Sequence, residues 1–194
     1  MFFSFFILTG YAQERELVTV KKTLKLMGSR FSITVVAASE ELGHINVEEA
    51  IGEITRIEKM ISAWDANSET YLINKNAGLK PIKVSRELFK LIERCKQISV
   101  LTNGAFDISY SSMDRIWKFD GSMKRMPSAE QIKKSVDKVG FEKIILNKDK
   151  QTVFLKDKGM KISFGAIGKG YAADKAKEFL VSRQVAGGII DAAG

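Results

Sequence analysis

The run K-I-S-F-G-A-I-G-K-G-Y-A-A-D, Lys161 to Asp174, sets three glycines and a lysine between an alternating apolar segment (Ile162, Phe164) and a helix-compatible stretch, Tyr171 to Gln184. Strand, glycine turn and helix in that order leave backbone N–H groups free at a helix N-terminus, where they can hold an anion. Gly165, Gly168 and Gly170 let main chain approach a ligand closely, and Lys169 adds a point charge suited to phosphate. A nucleotide or a phosphorylated cofactor is the chemistry this pattern suggests. Neither standard phosphate fingerprint is present. A P-loop has a longer interval before its G-K and a Ser or Thr after the lysine, whereas Gly170 follows Lys169. The dinucleotide fingerprint puts its shorter glycine step first, and here the longer step comes first. A turn that merely joins a strand to a helix fits the spacing as well.

The elements that must position this turn follow from periodicity. Leu17 to Met27 and Arg30 to Ala37 read as strands around a Gly28-Ser29 hairpin turn. Val47 to Trp64 is an amphipathic helix with Val47, Ala50, Ile51, Ile54, Ile57, Met60 and Ile61 on one face and Asn46 as its cap. Trp64 to Ser68 breaks the period and starts a loop. A short helix, Ser68 to Lys75, and a brief strand, Ile82 to Val84, precede a second long helix that Ser85 caps and Thr102-Asn103-Gly104 ends. Phe106 to Tyr110 is expected to be extended. Pro127-Ser128 with Gln131 opens a third helix, Ala129 to Val139. Glu142 to Leu146 and Thr152 to Leu155 pair as a hairpin, and a last strand starts at Gly187.

Strands and helices mix without strict alternation, so the expected class is α+β or mixed α/β. The final strand–helix–strand piece, Ile162 to Asp191, is expected to be a right-handed parallel crossover. A strand ending with no capping structure after it would sit at an unfinished sheet, so the chain is expected to be a fragment.

At 194 residues, with 45% hydrophobic and 28% charged residues, the chain fits one soluble domain with a real core. The net charge of +8 is mostly lysine and is spread along the chain, as in Lys21-Lys22 and Lys133-Lys134. Nucleic-acid binding would favour clustered arginines with interleaved aromatics, so no nucleic-acid partner is expected. Residues 1–12 read as an export signal: Phe2 to Leu8 is apolar, and Gly10-Tyr11-Ala12 offers a small-x-small cleavage site, although no Lys or Arg precedes the apolar run. That places residues 13–194 in the mature domain, exported or periplasmic, with association to a membrane surface compatible with the basic charge. Cys95 is the one cysteine, on the apolar side of its helix with Leu88, Leu91 and Ile92, so its role is core packing.

Four segments in order carry a family likeness: Met27-Gly28-Ser29-Arg30-Phe31, Ile61-Ser62-Ala63-Trp64-Asp65, Thr102-Asn103-Gly104-Ala105-Phe106-Asp107-Ile108, and Gly165-Ala166-Ile167-Gly168-Lys169-Gly170-Tyr171-Ala172. They resemble the ApbE family, the FAD:protein FMN transferases, and Trp117-Lys118-Phe119 resembles that family's tryptophan element. The resemblance runs from Leu24 to Gly194. It implies Mg²⁺-dependent transfer of FMN from FAD to a threonine hydroxyl of an acceptor flavoprotein of the redox-pump subunit type, with AMP leaving. Its alternatives are an FAD carrier without transfer activity and an FAD hydrolase giving FMN and AMP.

Carried over residue by residue, the resemblance implies that Met27 lies against the flavin and Trp64 stacks on the cofactor rings. Ala105, Phe106 and Asp107 would contact FAD, with Asp107 accepting a hydrogen bond. Ser163 stands where many members have an aspartate that touches FAD. Ala166 would offer its carbonyl to the metal ion, and Lys169 would touch the cofactor. Tyr171 and Asp174 are expected to begin and solvate the helix. The family's further Mg²⁺ ligands and its downstream histidine have no counterpart in these residues. His44, the one histidine, is expected at the surface.

Overall fold

The structure, a computed structural model, describes residues 16–192. The export-signal expectation for residues 1–12 falls outside them. Among the described residues no helix is long and apolar enough to cross a membrane.

The described chain opens with strands β1 (Val18–Leu26) and β2 (Ser29–Ala37), antiparallel and in register from Val18↔Ala37 to Leu26↔Ser29. Their turn is Met27-Gly28 rather than Gly28-Ser29, with φ of 49° and 74°. Two left-handed residues make the tight hairpin whose twist matches that of its strands. Glycine adopts this conformation freely, whereas Met27 needs surrounding contacts to hold it there.

Helix α1 (Glu40–Ile61) starts seven residues earlier than its apolar period suggested. Ser39, not Asn46, is the cap, its Oγ accepting from the Leu42 N–H at 3.3 Å. Glu40 and Glu41 in the first turn complement the helix dipole. The inward face is the expected one, with Val47, Ala50, Ile54 and Ile57 fully buried. Helix α2 (Glu69–Lys75), capped by Ser68, and strand β3 (Ile82–Lys83) follow. Helix α3 (Arg86–Leu101) is capped by Ser85 and ends where Asn103 and Gly104 turn left-handed, at φ 50° and 81°.

The extended reading of Phe106 to Tyr110 is overturned, because Ile108–Ser112 is a 3-10 helix. Asp107 causes it: its Oδ1 accepts from both the backbone N–H and the hydroxyl of Ser109, each at 2.7 Å. That local bond competes with any extended pairing. Helix α4 (Ala129–Val136) carries the Ser128–Gln131 capping box but stops short of Val139. Strands β4 (Ile144–Asn147) and β5 (Thr152–Leu155) form the expected hairpin.

The segment before the glycines, Lys161 to Phe164, is not a strand. Asn74 stands in for a sheet neighbour, its Oδ1 accepting from the Ile162 N–H at 2.8 Å and its Nδ2 donating to the Ile162 carbonyl at 3.0 Å. Helix α5 (Gly168–Ser182) then leads to strand β6 (Gly187–Ala192). β6 pairs antiparallel with β2, as in Ile33↔Ile190, and because Lys161 to Phe164 is not a strand the expected parallel crossover is absent. The two sheets run β1-β2-β6 and β3-β5-β4, and every strand pair among the described residues is antiparallel. Mixed α and β structure is nonetheless the observed class.

Helices α1 and α5 pack on each other and on the first sheet. Phe31, Ile33, Val35, Ile54 and Ile57 fill the space between them at zero exposure. Each such side chain contributes roughly 1.5–3 kcal/mol by leaving water. This core fixes the hairpin tip, the end of α1 and the start of α5 at one end of the molecule.

Candidate active site

Glycines 165, 168 and 170 have no left-handed backbone, so conformational freedom is not their reason. Close approach explains the first two. A Cβ on Gly168 would stand 2.7 Å from Ile61 Cδ1 and 3.5 Å from Met27 Cε, and one on Gly165 would stand 2.9 Å from Tyr110 Oη. Helix α5 therefore begins inside the glycine run, three residues before the expected Tyr171 start, and its first turn is pressed against the hairpin tip and the end of α1. No side chain caps it. The Gly168 N–H donates to the Phe164 carbonyl at 2.6 Å, which leaves the N–H groups of Lys169 and Gly170 for an anion.

Beside this turn lies a cleft of about 360 Å³, within the range of small-molecule sites. One wall is Ala105, Phe106, Asp107 and Tyr110; the other is Ser163, Phe164, Ala166 and Ile167. Segments about 60 residues apart in sequence thus form one site. The walls are tied together by the Ser163 N–H, which donates to the Ile108 carbonyl at 2.9 Å. Ser112 Oγ completes the tie, donating to the Lys161 carbonyl and accepting from the Lys161 N–H.

The carboxylate of Asp107 is held rather than free. Its Oδ1 is taken up by Ser109, whose hydroxyl oxygen also accepts from the Gly140 N–H at 2.9 Å. Any ligand bond from Asp107 must therefore use its other oxygen or share this one. Burial pushes the nearby Lys96 ammonium below the usual lysine range, with Glu142 and Asp107 opposing that shift. Lys96 Nζ donates to the Ile144 carbonyl.

Trp64 and Lys169 do not line the cleft. Trp64 is 80% exposed on the loop after α1, with the Arg115 guanidinium 5.5 Å from its ring centroid. The loop is knitted by its own side chains: Ser62 Oγ accepts from the Trp64 and Asp65 N–H groups, and Asp65 Oδ1 accepts from the Asn67 N–H. It is an ordered platform for an indole with little packing of its own. Lys169 is the second residue of α5. Tyr171, expected to face solvent, instead donates its hydroxyl to Glu87 at 3.0 Å. Glu87 in turn meets Arg56, which also grips Glu53. This network clamps α1, α3 and the first turn of α5 together. His44 is exposed and 3.7 Å from Glu40 on the same helix.

The sequence reading missed Tyr110 and Arg115. The extended pattern of Phe106 to Tyr110 hides Tyr110, and the Asp107-Ile108-Ser109 capping pattern is the signal in the sequence for the 3-10 helix that presents it. Arg115 carried no signal, since only folding sets it over Trp64.

A family model described as the ApbE family matches residues 27–194. The chain belongs to the ApbE family. An FAD:protein FMN transferase of Klebsiella pneumoniae (strain 342) is 30% identical over 169 residues, which span 87% of this chain and 52% of the relative. One from Treponema pallidum (strain Nichols) is 26% identical over 156 residues, 78% of this chain and 43% of that one. The crystal structure of the ApbE protein of Thermotoga maritima superposes with a TM-score of 0.77 at 26% identity, covering 91% of this chain and 57% of that chain. The chain spans about half the length of the curated relatives it matches. The four ApbE-like segments occupy one end of the fold: Met27 and Ile61 meet Gly168, and Ala105 to Asp107 face Ser163 to Ala166.

Proposed function

We propose that this ApbE-family chain forms the FAD-binding part of an FAD:protein FMN transferase that acts outside the cytoplasm, with residues 1–12 as its export signal. The observation that carries the FAD site is the cleft itself, where Ala105 to Asp107 face Ser163 and Ala166 across an aromatic- and glycine-lined gap. Phe106 and Tyr110 offer apolar faces to a ring system. The uncapped start of α5 offers N–H groups to phosphate. Trp64, exposed and with Arg115 against its ring, has surface with which to stack on a flavin or adenine ring.

The proposed reaction is displacement at phosphorus. The threonine hydroxyl oxygen of an acceptor flavoprotein, a redox-pump subunit by type, bonds to the FMN phosphorus. The P–O bond to AMP breaks, AMP leaves, and the hydroxyl proton passes to base or solvent. Positioning and charge neutralisation dominate such transfers. The described residues supply binding and orientation. Among them no cluster of three or more His, Cys, Asp or Glu can hold a metal ion. The Ala166 carbonyl is a single donor, too few for Mg²⁺, so the described residues do not by themselves hold that ion.

Incubation of the whole protein with FAD, Mg²⁺ and an acceptor domain bearing the target threonine tests the reading. Covalent flavin on the acceptor together with free AMP is the expected result. Free FMN with AMP would make it a hydrolase, and unchanged bound FAD a carrier.

A further inference from the structure

Tyr110 lines the cleft and brings to it a phenol hydroxyl that the protein itself does not use. The residue is 42% exposed, on the 3-10 helix that Asp107 caps. Among the described residues nothing hydrogen-bonds its hydroxyl. That hydroxyl lies close over the Gly165 turn: the point a Cβ of Gly165 would occupy is 2.9 Å from Tyr110 Oη and 3.9 Å from Ser163 Oγ. Two hydroxyls thus converge above one glycine, immediately before the start of α5. A Cβ at that position would have to shift the phenol hydroxyl, the far end of the Tyr110 side chain. A phenol is a good donor and a weak acceptor at neutral pH, so it suits an anionic oxygen.

We propose that Tyr110 is a substrate-binding residue whose hydroxyl donates a hydrogen bond to a phosphoryl oxygen of FAD at the Gly165 turn. The assignment rests on the reading of the cleft as the FAD site. It makes Tyr110 a discriminator between phosphorylated flavins and the bare ring system. Riboflavin, which lacks phosphates, cannot use the bond.

Dissociation constants for FAD and for riboflavin, read from flavin fluorescence with the whole protein, test this. Tyr110→Phe keeps the ring and should weaken FAD binding roughly tenfold, the effect of losing a hydrogen bond to a charged group. Riboflavin binding and the melting temperature should stay as in the wild type, because the hydroxyl bonds nothing in the protein. Gly165→Ala, which displaces the phenol by a different route, should also cost more for FAD than for riboflavin. If wild-type protein binds FAD and Tyr110→Phe binds it equally well, the assignment fails alone. Equal losses for FAD and riboflavin would likewise overturn it, leaving the ring and not the hydroxyl as the contact. A wild-type chain that binds neither flavin overturns this assignment and the proposed function together.

Discussion

Met27 Cε lies 3.5 Å from where a Cβ of Gly168 would stand, so the tip of the β1–β2 hairpin touches the first turn of α5 across some 140 residues of sequence. Ile61 Cδ1, from the end of α1, meets the same point at 2.7 Å. Three elements therefore converge on one missing methyl group.

Gly168→Ala fills that point. Alanine suits a helix better by about 1 kcal/mol, but the overpacking costs about 1–3 kcal/mol. The flexible end of Ile61 can yield, so the net loss should be about 1 kcal/mol. Chemical denaturation should show it, and any change in FAD affinity would come through Ile61 at the end of α1, since Met27 stays at an ordinary contact distance. A variant as stable as the wild type with unchanged FAD affinity would mean that the contact is slack.

Trp64→Ala separates binding from folding. The indole is 80% exposed and buries little, so the melting temperature should barely move. FAD affinity should fall by roughly 1–3 kcal/mol, the range for stacking of a base on an aromatic side chain. Unchanged affinity in the folded variant would remove Trp64 from the site.

Glu87 ties acid stability to the start of α5. Hydrogen bonding from Arg56 holds its carboxyl below the usual range against the opposing effect of burial, and Tyr171 adds to the lowering. A carboxyl with a depressed folded-state pKa stabilises above its unfolded value, near 4.5, and loses that contribution as pH falls through the folded one. Native stability should therefore drop below about pH 4.5, and Glu87→Gln should flatten this acid limb while costing about 1 kcal/mol at neutral pH. Thermal melts from pH 3 to 7 read both, and parallel acid limbs would exclude Glu87 as the titrating group. Burial and Glu87 together push the Tyr171 phenol well above the ordinary tyrosine range, so this contact persists through neutral pH.

Cys95 is fully buried in the core on α3, and desolvation pushes its thiol up to about 12. At pH 8 a disulfide reagent should find almost no thiolate in the native protein and one reactive thiol after denaturation. Rapid modification under native conditions would show that α3 opens readily.

Local chemistry was legible where short-range signals act alone. Ser85 as a helix cap, the Ser128–Gln131 box, the left-handed stop at Asn103-Gly104 and the β4–β5 hairpin all follow from neighbours within a few residues. So does the inward face of α1, because apolar period alone sets it. Competition between local signals misled the reading at two places. Ser39 beat Asn46 as the cap of α1, and Asp107 drew Ile108–Ser112 into a 3-10 helix against an apolar alternation.

By itself the amino-acid order determined the long helices and their apolar faces, the Ser85 and Ser128 caps, the buried thiol and the family motifs, since each depends on spacing along one segment. Only the tertiary structure decided that β6 runs antiparallel to β2 and that Asn74 replaces a strand beside Ile162. It also set Tyr110 over Gly165 and Arg115 over Trp64. Strand direction and side-chain meetings at long separation arise when the apolar faces of α1 and α5 close on one sheet, and no local pattern encodes where distant atoms then come to rest.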